Sequence, residues 1–424
     1  MLKQIVHHSP KLLTFFVLLQ LNLSKPQWQH VQRLADAVIT CDLPMKTLSG
    51  LYRLIVDAPD PSNAADCLRI SPWRGATIRL SARQFVAQDL IRLSRTISDR
   101  TLFISLDDSL SEKDKGTRHL EPVEFHYDHT KSGPKRAHYS NGAVHVEVRL
   151  QIGPYSYSYD HRLYLRQKTI RRLNRQRPSH KRLRYRSKYN LVREMLVELS
   201  QQLPAGYQVY VLCDSWYASN KLLKFCRRQD WHVICAIKSN RLFNGKKLSH
   251  WNHHLKHQRY QRITLTATDQ RTRTYLVRSL QGQLNHLSDQ VCVFISKRHP
   301  GDKHPKYFLC TDPSLSADTA LTYYQKRWAI EIDHFSLKQQ LGLADFRVQS
   351  FEAVEKWYAI VFLALTYLQW RLNHAQPHEQ LKSVAEVIRR HRHEHACQLL
   401  QVACQQVLDL GQLQPVLQRF ICSP

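Results

Sequence analysis

Apolar positions along this chain follow two rhythms. Short runs rich in Val, Ile, Leu and Tyr occupy Thr101–Leu106, Ala143–Ile152, Tyr155–Leu165, Tyr207–Cys213 and His232–Ile237. Such runs read as strands of a largely buried sheet, and Tyr155, Tyr157 and Tyr159 alternate as a strand requires. Helical periodicity marks 190–203, 220–228 and 351–372, the last long and apolar enough to cover the sheet. Between 239 and 312 the pattern turns polar and β-leaning, with runs at Arg262–Thr268, Thr274–Arg278 and Gln290–Ile295. This stretch is predicted to be a β-rich insertion. The two ends are helical in pattern. Leu12–Leu23 is an apolar run too short to span a bilayer and closed by Ser24-Lys25-Pro26, which predicts a buried helix. Trp28–Thr40 and Thr47–Asp57, around Leu43-Pro44, make a candidate helix-turn-helix. The predicted class is α/β, divided as a helical, DNA-binding region at 1–98, a core at 99–238 and 313–375, the insertion at 239–312 and an accessory helical tail at 376–424.

Charge narrows the partner. Lys and Arg total 62 against 34 Asp and Glu, a net +28 over 424 residues, and a surplus of that size implies a polyanion. It is concentrated between Arg166 and Lys188, where eleven Lys/Arg, among them Arg171, Arg172 and Arg182, meet no acid. That segment is expected to be a disordered basic loop that orders on DNA through phosphate contacts. Twelve glycines and no phosphate-loop or dinucleotide motif argue against a nucleotide-binding fold. The ten cysteines contain no Cys-x-x-Cys, and several lie inside apolar strands, which reads as reduced thiols in a cytoplasmic protein. His391, His393, His395 and Cys397 raise a zinc hypothesis, but alternate helical positions point to different faces, so a polar helix surface is the plainer reading.

The chemistry concentrates at Tyr324–Lys338. On one continuous helix, Tyr324, Arg327, Glu331 and Lys338 would share a narrow face, with Trp328, Ile332 and Phe335 as an apolar stripe available for burial beside it. Upstream, two β-prone runs deliver acids: Asp107-Asp108-Ser109 after Thr101–Leu106, and Asp214-Ser215-Trp216-Tyr217 after Tyr207–Cys213. Adjacent carboxylates on a strand point to opposite faces, so only one of Asp107 and Asp108 can serve a site. Three carboxylates from separate elements suit a pair of hard cations, which can activate an attacking oxygen and stabilise a leaving one in phosphodiester cleavage. No base of perturbed pKa is required, and His334 reads as a phosphate or structural contact.

The spacing Tyr324-(2)-Arg327-(3)-Glu331-(6)-Lys338 resembles the Y-(2)-R-(3)-E-(6)-K signature of the DDE insertion-sequence transposases often called family four. The resemblance spans most of 25–375. It implies a ribonuclease-H-like catalytic core, which the coarse order of strands and helices fits, interrupted by β-structure before the signature helix. It implies Asp107, Asp214 and Glu331 as catalytic, metal-binding acids with two Mg²⁺ or Mn²⁺ ions, and Asp107 over Asp108 because a polar residue and Ser follow it. DNA contacts are expected from Tyr324, Arg327 and Lys338, from Lys238 and Arg241 after a core strand, from Arg171, Arg172 and Arg182, and from Trp251 by stacking on an unpaired base. The implied partners are the terminal inverted repeats and the target DNA, bound by a homodimer near the bacterial nucleoid. A nuclease without strand transfer, or a decayed copy that only binds DNA, would carry a similar core.

Overall fold

The computed structural model describes residues 2–128, 131–133, 136–266 and 271–421. Ala267 and Thr268 of the expected 262–268 run, and Cys422, lie outside them. Five helices open the chain: α1 (Pro10–Leu19), α2 (Lys25–Thr40), α3 (Leu48–Arg53), α4 (Pro61–Arg69) and α5 (Gly75–Ser94). Four strands follow, β1 (Thr101–Glu112), β2 (Glu124–Tyr127), β3 (Tyr139–Ile152) and β4 (Tyr155–Tyr164). Next come α6 (Gln167–Asn174), α7 (Lys188–Ser200), β5 (Gln208–Cys213), α8 (Asn220–Arg228) and β6 (His232–Ile237). The β-leaning stretch holds β7 (Leu242–Phe243), β8 (Lys246–Lys247), α9 (Leu248–His254), β9 (Gln261–Thr266), β10 (Thr272–Gln283), β11 (Gln290–Lys297) and β12 (Lys306–Cys310). The chain closes with α10 (Ala317–Gln325), α11 (Trp328–Phe335), α12 (Phe351–Asn373), α13 (Val384–Leu410) and α14 (Leu413–Phe420).

Ten strands form one mixed sheet in the order β2-β3-β1-β5-β6-β12-β11-β10-β9, with β4 also on β3. β1 is antiparallel to β3 and parallel to β5, and β6 continues parallel to β5. The 239–312 stretch is β-rich as expected, yet it does not stand apart: β12 joins β6 antiparallel and prolongs the sheet. The runs of Val, Ile and Leu explain why these strands are interior. Leu102, Ile104 and Leu106 of β1 and Val209, Val211 and Cys213 of β5 pack on one face against α5 and α7 residues such as Val86 and Met195.

Two expectations about the ends change. The candidate helix pair exists as α2 and α3, but α2 is buried from Leu34 through Thr40, all round rather than along one stripe. It is a core helix against α12 and α13. The C-terminal segment is likewise no accessory tail, since Val387 and Ile388 of α13 share an apolar cluster with Val31, Ala35 and Val38 of α2 and with Tyr367 and Leu368 of α12. α1 is buried through Leu12, Phe15, Phe16 and Leu19, while Val17 and Leu18 remain outside. No helix among the described residues is long and apolar enough to cross a membrane.

The basic segment also departs from expectation. Ile170 and Leu173 bury against Leu165 beside Leu183 and Phe351, and this small cluster is reason enough for α6 to fold. Several of the segment's cations are committed to partners: Arg166 to the Phe125 carbonyl at 2.7 Å, Arg177 to Glu121 at 2.8 Å, Arg186 to Glu194 at 3.0 Å and Lys188 to Asp108 at 2.6 Å. Lys168, Arg171, Arg172, Arg175, Lys181, Arg182 and Arg184 are exposed. A folded, partly neutralised basic ridge replaces the predicted disordered loop.

Candidate active site

β1 does not end at its acids. It runs on to Glu112, held by β3 along its whole length, with Asp107 opposite Glu147, Ser109 opposite His145 and Ser105 opposite Arg149. Strand alternation then decides between the adjacent carboxylates. Asp108 faces α7, accepting hydrogen bonds from Lys188 at 2.6 Å and from the Tyr217 hydroxyl at 2.8 Å. Asp107 faces α11 instead and accepts from Arg327 Nη1 at 2.7 Å.

The signature is not one continuous helix. α10 ends at Gln325, Lys326 and Arg327 form a turn, α11 restarts at Trp328, and Ser336–Gln340 is π-helical. Tyr324 therefore belongs to a different element from Glu331, and Lys338 sits on a widened turn. The predicted burial is reversed as well: Trp328, Ile332 and Phe335 are 54%, 45% and 59% exposed, whereas Ile330, Asp333 and His334 face inward. The reason lies in β3. His145, Glu147 and Arg149 put a buried polar stripe on the face that α11 covers, so α11 turns its matching polar residues to it. Asp333 accepts from Arg149 Nε at 2.6 Å and from Gln369 at 3.0 Å. His334 Nε2 lies 3.1 Å from Glu147. Burial pushes Asp333 up to about 6 although Arg149 draws it back, and His334 is raised despite its burial because Glu147 faces it.

These anchors hold Glu331 over Asp107. Arg327 spans both, 2.7 Å from Asp107 and 3.3 Å from Glu331. Ligand atoms of Asp107, Glu331 and His334 lie within 4.8 Å of one another. Burial raises Asp107 to about 7, countered by His334 and Arg327 and reinforced by Glu331. Lys338 is lowered by burial and feels Glu112, Glu331 and Asp107. Asp214 follows Cys213, which pairs with Leu106, so Asp107 and Asp214 occupy equivalent places on adjacent parallel strands. Its carboxylate, however, accepts from the Trp216 and Tyr217 amides at 2.9 and 3.1 Å and is not part of the three-residue cluster. Arg327 is raised despite burial, with Tyr324, Asp107, Glu331 and Asp214 all drawing on its charge.

Other predicted contacts scatter. Tyr324 packs edge-on against Phe308 with Arg327 6.0 Å from its ring centroid. Arg241 donates to Asn220 at 2.8 Å and Lys238 is exposed. Trp251 is half-buried and donates to the Phe243 carbonyl at 2.7 Å. His145, Glu147, Arg149 and Asp333 were not singled out from the sequence. The alternation His145-x-Glu147-x-Arg149 inside an apolar run was the available signal.

The family described as transposase DDE domain matches residues 184–367, a segment that contains Asp214 and Glu331 and begins after Asp107. Over this segment the chain is similar to a transposase DDE domain. A search of the curated proteins finds no match. The DDE segment thus carries the second and third candidate acids, while β1 and β3, which supply Asp107 and its polar backing, precede it.

Proposed function

We propose that the protein is a transposase that binds the terminal inverted repeats of an insertion sequence, cleaves the DNA there and joins the 3′-OH ends to target DNA. The observation that carries this reading is the placement of Glu331 over Asp107, in a fold where Asp214 of the matched segment follows the neighbouring parallel strand at the equivalent place. The strand order β4-β3-β1-β5-β6, antiparallel then parallel to β1, supports a ribonuclease-H-like core.

Asp107, Asp214 and Glu331 would hold the divalent ions, Mg²⁺ or Mn²⁺, which when bound supply Lewis-acid activation of the attacking and leaving oxygens. The donor set fits: carboxylate oxygens suit hard cations, and Asp107 and Glu331 already lie close together where burial and like charge raise Asp107. Arg327 ties Asp107 to Glu331 and offers its remaining N–H groups to a phosphate. Arg149–Asp333 and Glu147–His334 fix the orientation of α11, and with it of Glu331. Exposed Arg171, Arg172, Arg182 and Lys238, with half-buried Lys338 beside the acids, would meet the backbone, with two protomers assembling the two ends.

The test is incubation of the full chain with the DNA flanking its own gene and Mg²⁺, followed by mapping of ends and products. Cleavage at inverted repeats with joined products is expected. Cleavage without joining would make the protein a nuclease, and binding without cleavage would make it a DNA-binding copy.

Two further results are expected. Asp107 must lose its proton to bind a cation, so Mn²⁺ affinity, followed by titration calorimetry, should rise as pH passes upward through about 7 and level off above it. Replacing Arg171, Arg172 and Arg182 together with Gln should flatten the plot of log affinity against log salt by up to about 0.9 per lost phosphate contact. An unchanged slope would place the ridge away from DNA.

A further inference from the structure

Away from the acids, α2 and α13 meet along a buried polar seam. α2 presents Gln32, Asp36 and Thr40 at four-residue steps, hence on one face, and all three are buried. From α13, His391 and His395 direct their Nε2 atoms to the same oxygen of Asp36, at 2.8 and 2.9 Å. His8 approaches the other carboxylate oxygen at 2.7 Å and is 22% exposed, whereas Asp36 is fully enclosed. Behind the ring of His391, the Tyr367 hydroxyl lies 3.3 Å from Nδ1. Among the described residues, Gln32 Nε2, Thr40 Oγ1 and His395 Nδ1 are buried without a hydrogen-bond partner.

This arrangement is more than a polar helix surface. His391 and His395 are one helical turn apart, so their rings share a face although their alternate neighbour His393 does not. The ligand atoms of Asp36, His391 and His395 all lie within 4.8 Å of one another. Burial would raise Asp36, but hydrogen bonds from His391, His395 and His8 hold it well below the usual carboxylate range. Two imidazole nitrogens with one carboxylate oxygen select a borderline cation over Mg²⁺ or Ca²⁺, which prefer oxygen alone. Zinc bonds of about 2.0–2.1 Å in a tetrahedron set neighbouring donors roughly 3.3 Å apart, so the two histidine–Asp36 distances need open by only about half an ångström. An outer shell is already built, Tyr367 on His391 and His8 on Asp36, as ligating imidazoles and carboxylates normally require.

We propose that Asp36, His391 and His395 bind one zinc ion that pins α13 to the N-terminal helical layer, with His8 and Tyr367 orienting the ligands. The site is separate from the candidate catalytic acids and does not depend on the transposase reading.

The experiment uses the full chain without a histidine tag, purified without chelator, and measures zinc by mass spectrometry and Co²⁺ uptake by visible absorption. About one zinc per chain is expected in the wild type and in Glu331→Gln, with tetrahedral Co²⁺ bands after exchange. His395→Ala and Asp36→Asn should lose the metal, and chelation should lower the wild-type melting temperature, restored by Zn²⁺ and not by Mg²⁺. Should those variants fail to fold, His8→Ala, altered at the part-exposed outer position, should weaken zinc binding by about 10–100-fold. Wild-type protein that neither carries zinc nor takes up Co²⁺ would overturn the proposal. Equal zinc in the wild type, His395→Ala and His8→Ala would also overturn it.

Discussion

Asp107→Asn is expected to lower DNA cleavage by more than 100-fold while leaving the fold as stable as before, or more so, at neutral pH. Loss of a group in the outer shell of a metal site costs about 10–100-fold, and loss of a ligand itself should exceed that. The stability side follows from the raised carboxyl. Burial lifts Asp107 from its ordinary 3.8 to about 7, so between those values the folded chain holds a proton that the unfolded chain releases. The contribution is present at low pH and is lost as pH rises from about 4 to about 7. Asn keeps the shape and the hydrogen-bonding oxygen without that cost, which is the usual trade between activity and stability at a site. Asp108→Asn should do the reverse. It breaks the ion pair with Lys188 and weakens the bond from Tyr217, so its melting temperature should fall while cleavage stays within about tenfold of wild type. The measurements are cleavage rate with Mg²⁺ and metal-free thermal unfolding across pH 4–8. Full cleavage by the Asp107 variant would remove this residue from the site, and loss of cleavage in the Asp108 variant alone would move the first acid by one residue.

Much of this arrangement was legible because burial writes itself into apolar runs. β5, α8, β6 and β11 lie where the runs placed them, and Asp107 and Asp108 face opposite ways as strand alternation requires. The errors come from what a linear pattern cannot carry. Helical geometry extrapolated through Lys326-Arg327 assumed an unbroken helix, whereas a turn interrupts it there, and Trp328, Ile332 and Phe335 face outward. Which side α11 buries depends on the register of β3 against β1, because that register sets His145, Glu147 and Arg149 under it. Registers between strands some forty residues apart are not encoded locally. Asp214 shows a competing demand: its loop's amides claim the carboxylate as a turn cap, a need the sequence displays equally well. The basic segment was misread for a plainer reason. Its acidic partners Glu121, Glu194 and Glu352 lie outside it, so a count of charge within the segment saw none of them.

The largest effect on stability is expected at Asp160, where Ala should cost about 3–5 kcal/mol, the range for breaking a buried ion pair from one side. Asp160 is enclosed between β4 and α5. Its carboxylate lies 3.1 Å from Arg83, 2.9 Å from Arg162 and 3.8 Å from Arg79, and it also accepts from the His161 amide at 2.8 Å. Two other acids share the cations, Glu355 with Arg79 at 2.7 Å and Glu198 with Arg162 at 2.7 Å and with Arg83. Removing Asp160 leaves three guanidiniums beside two carboxylates, and the seam joining α5, β4, α7 and α12 then holds an unmatched positive charge. Arg227 with Asp289 is the control, an ion pair of comparable length at 2.6 Å but about half exposed on both sides. Solvent screens it, so Asp289→Ala should cost no more than about 1 kcal/mol. Urea unfolding of the two variants beside the wild type reads the contrast directly. Because neither residue touches the candidate acids, cleavage by whatever fraction remains folded should match wild type in both. A cost for Asp160→Ala as small as that for Asp289→Ala would mean that water reaches the seam and that burial of these arginines is not what holds α5 to the sheet.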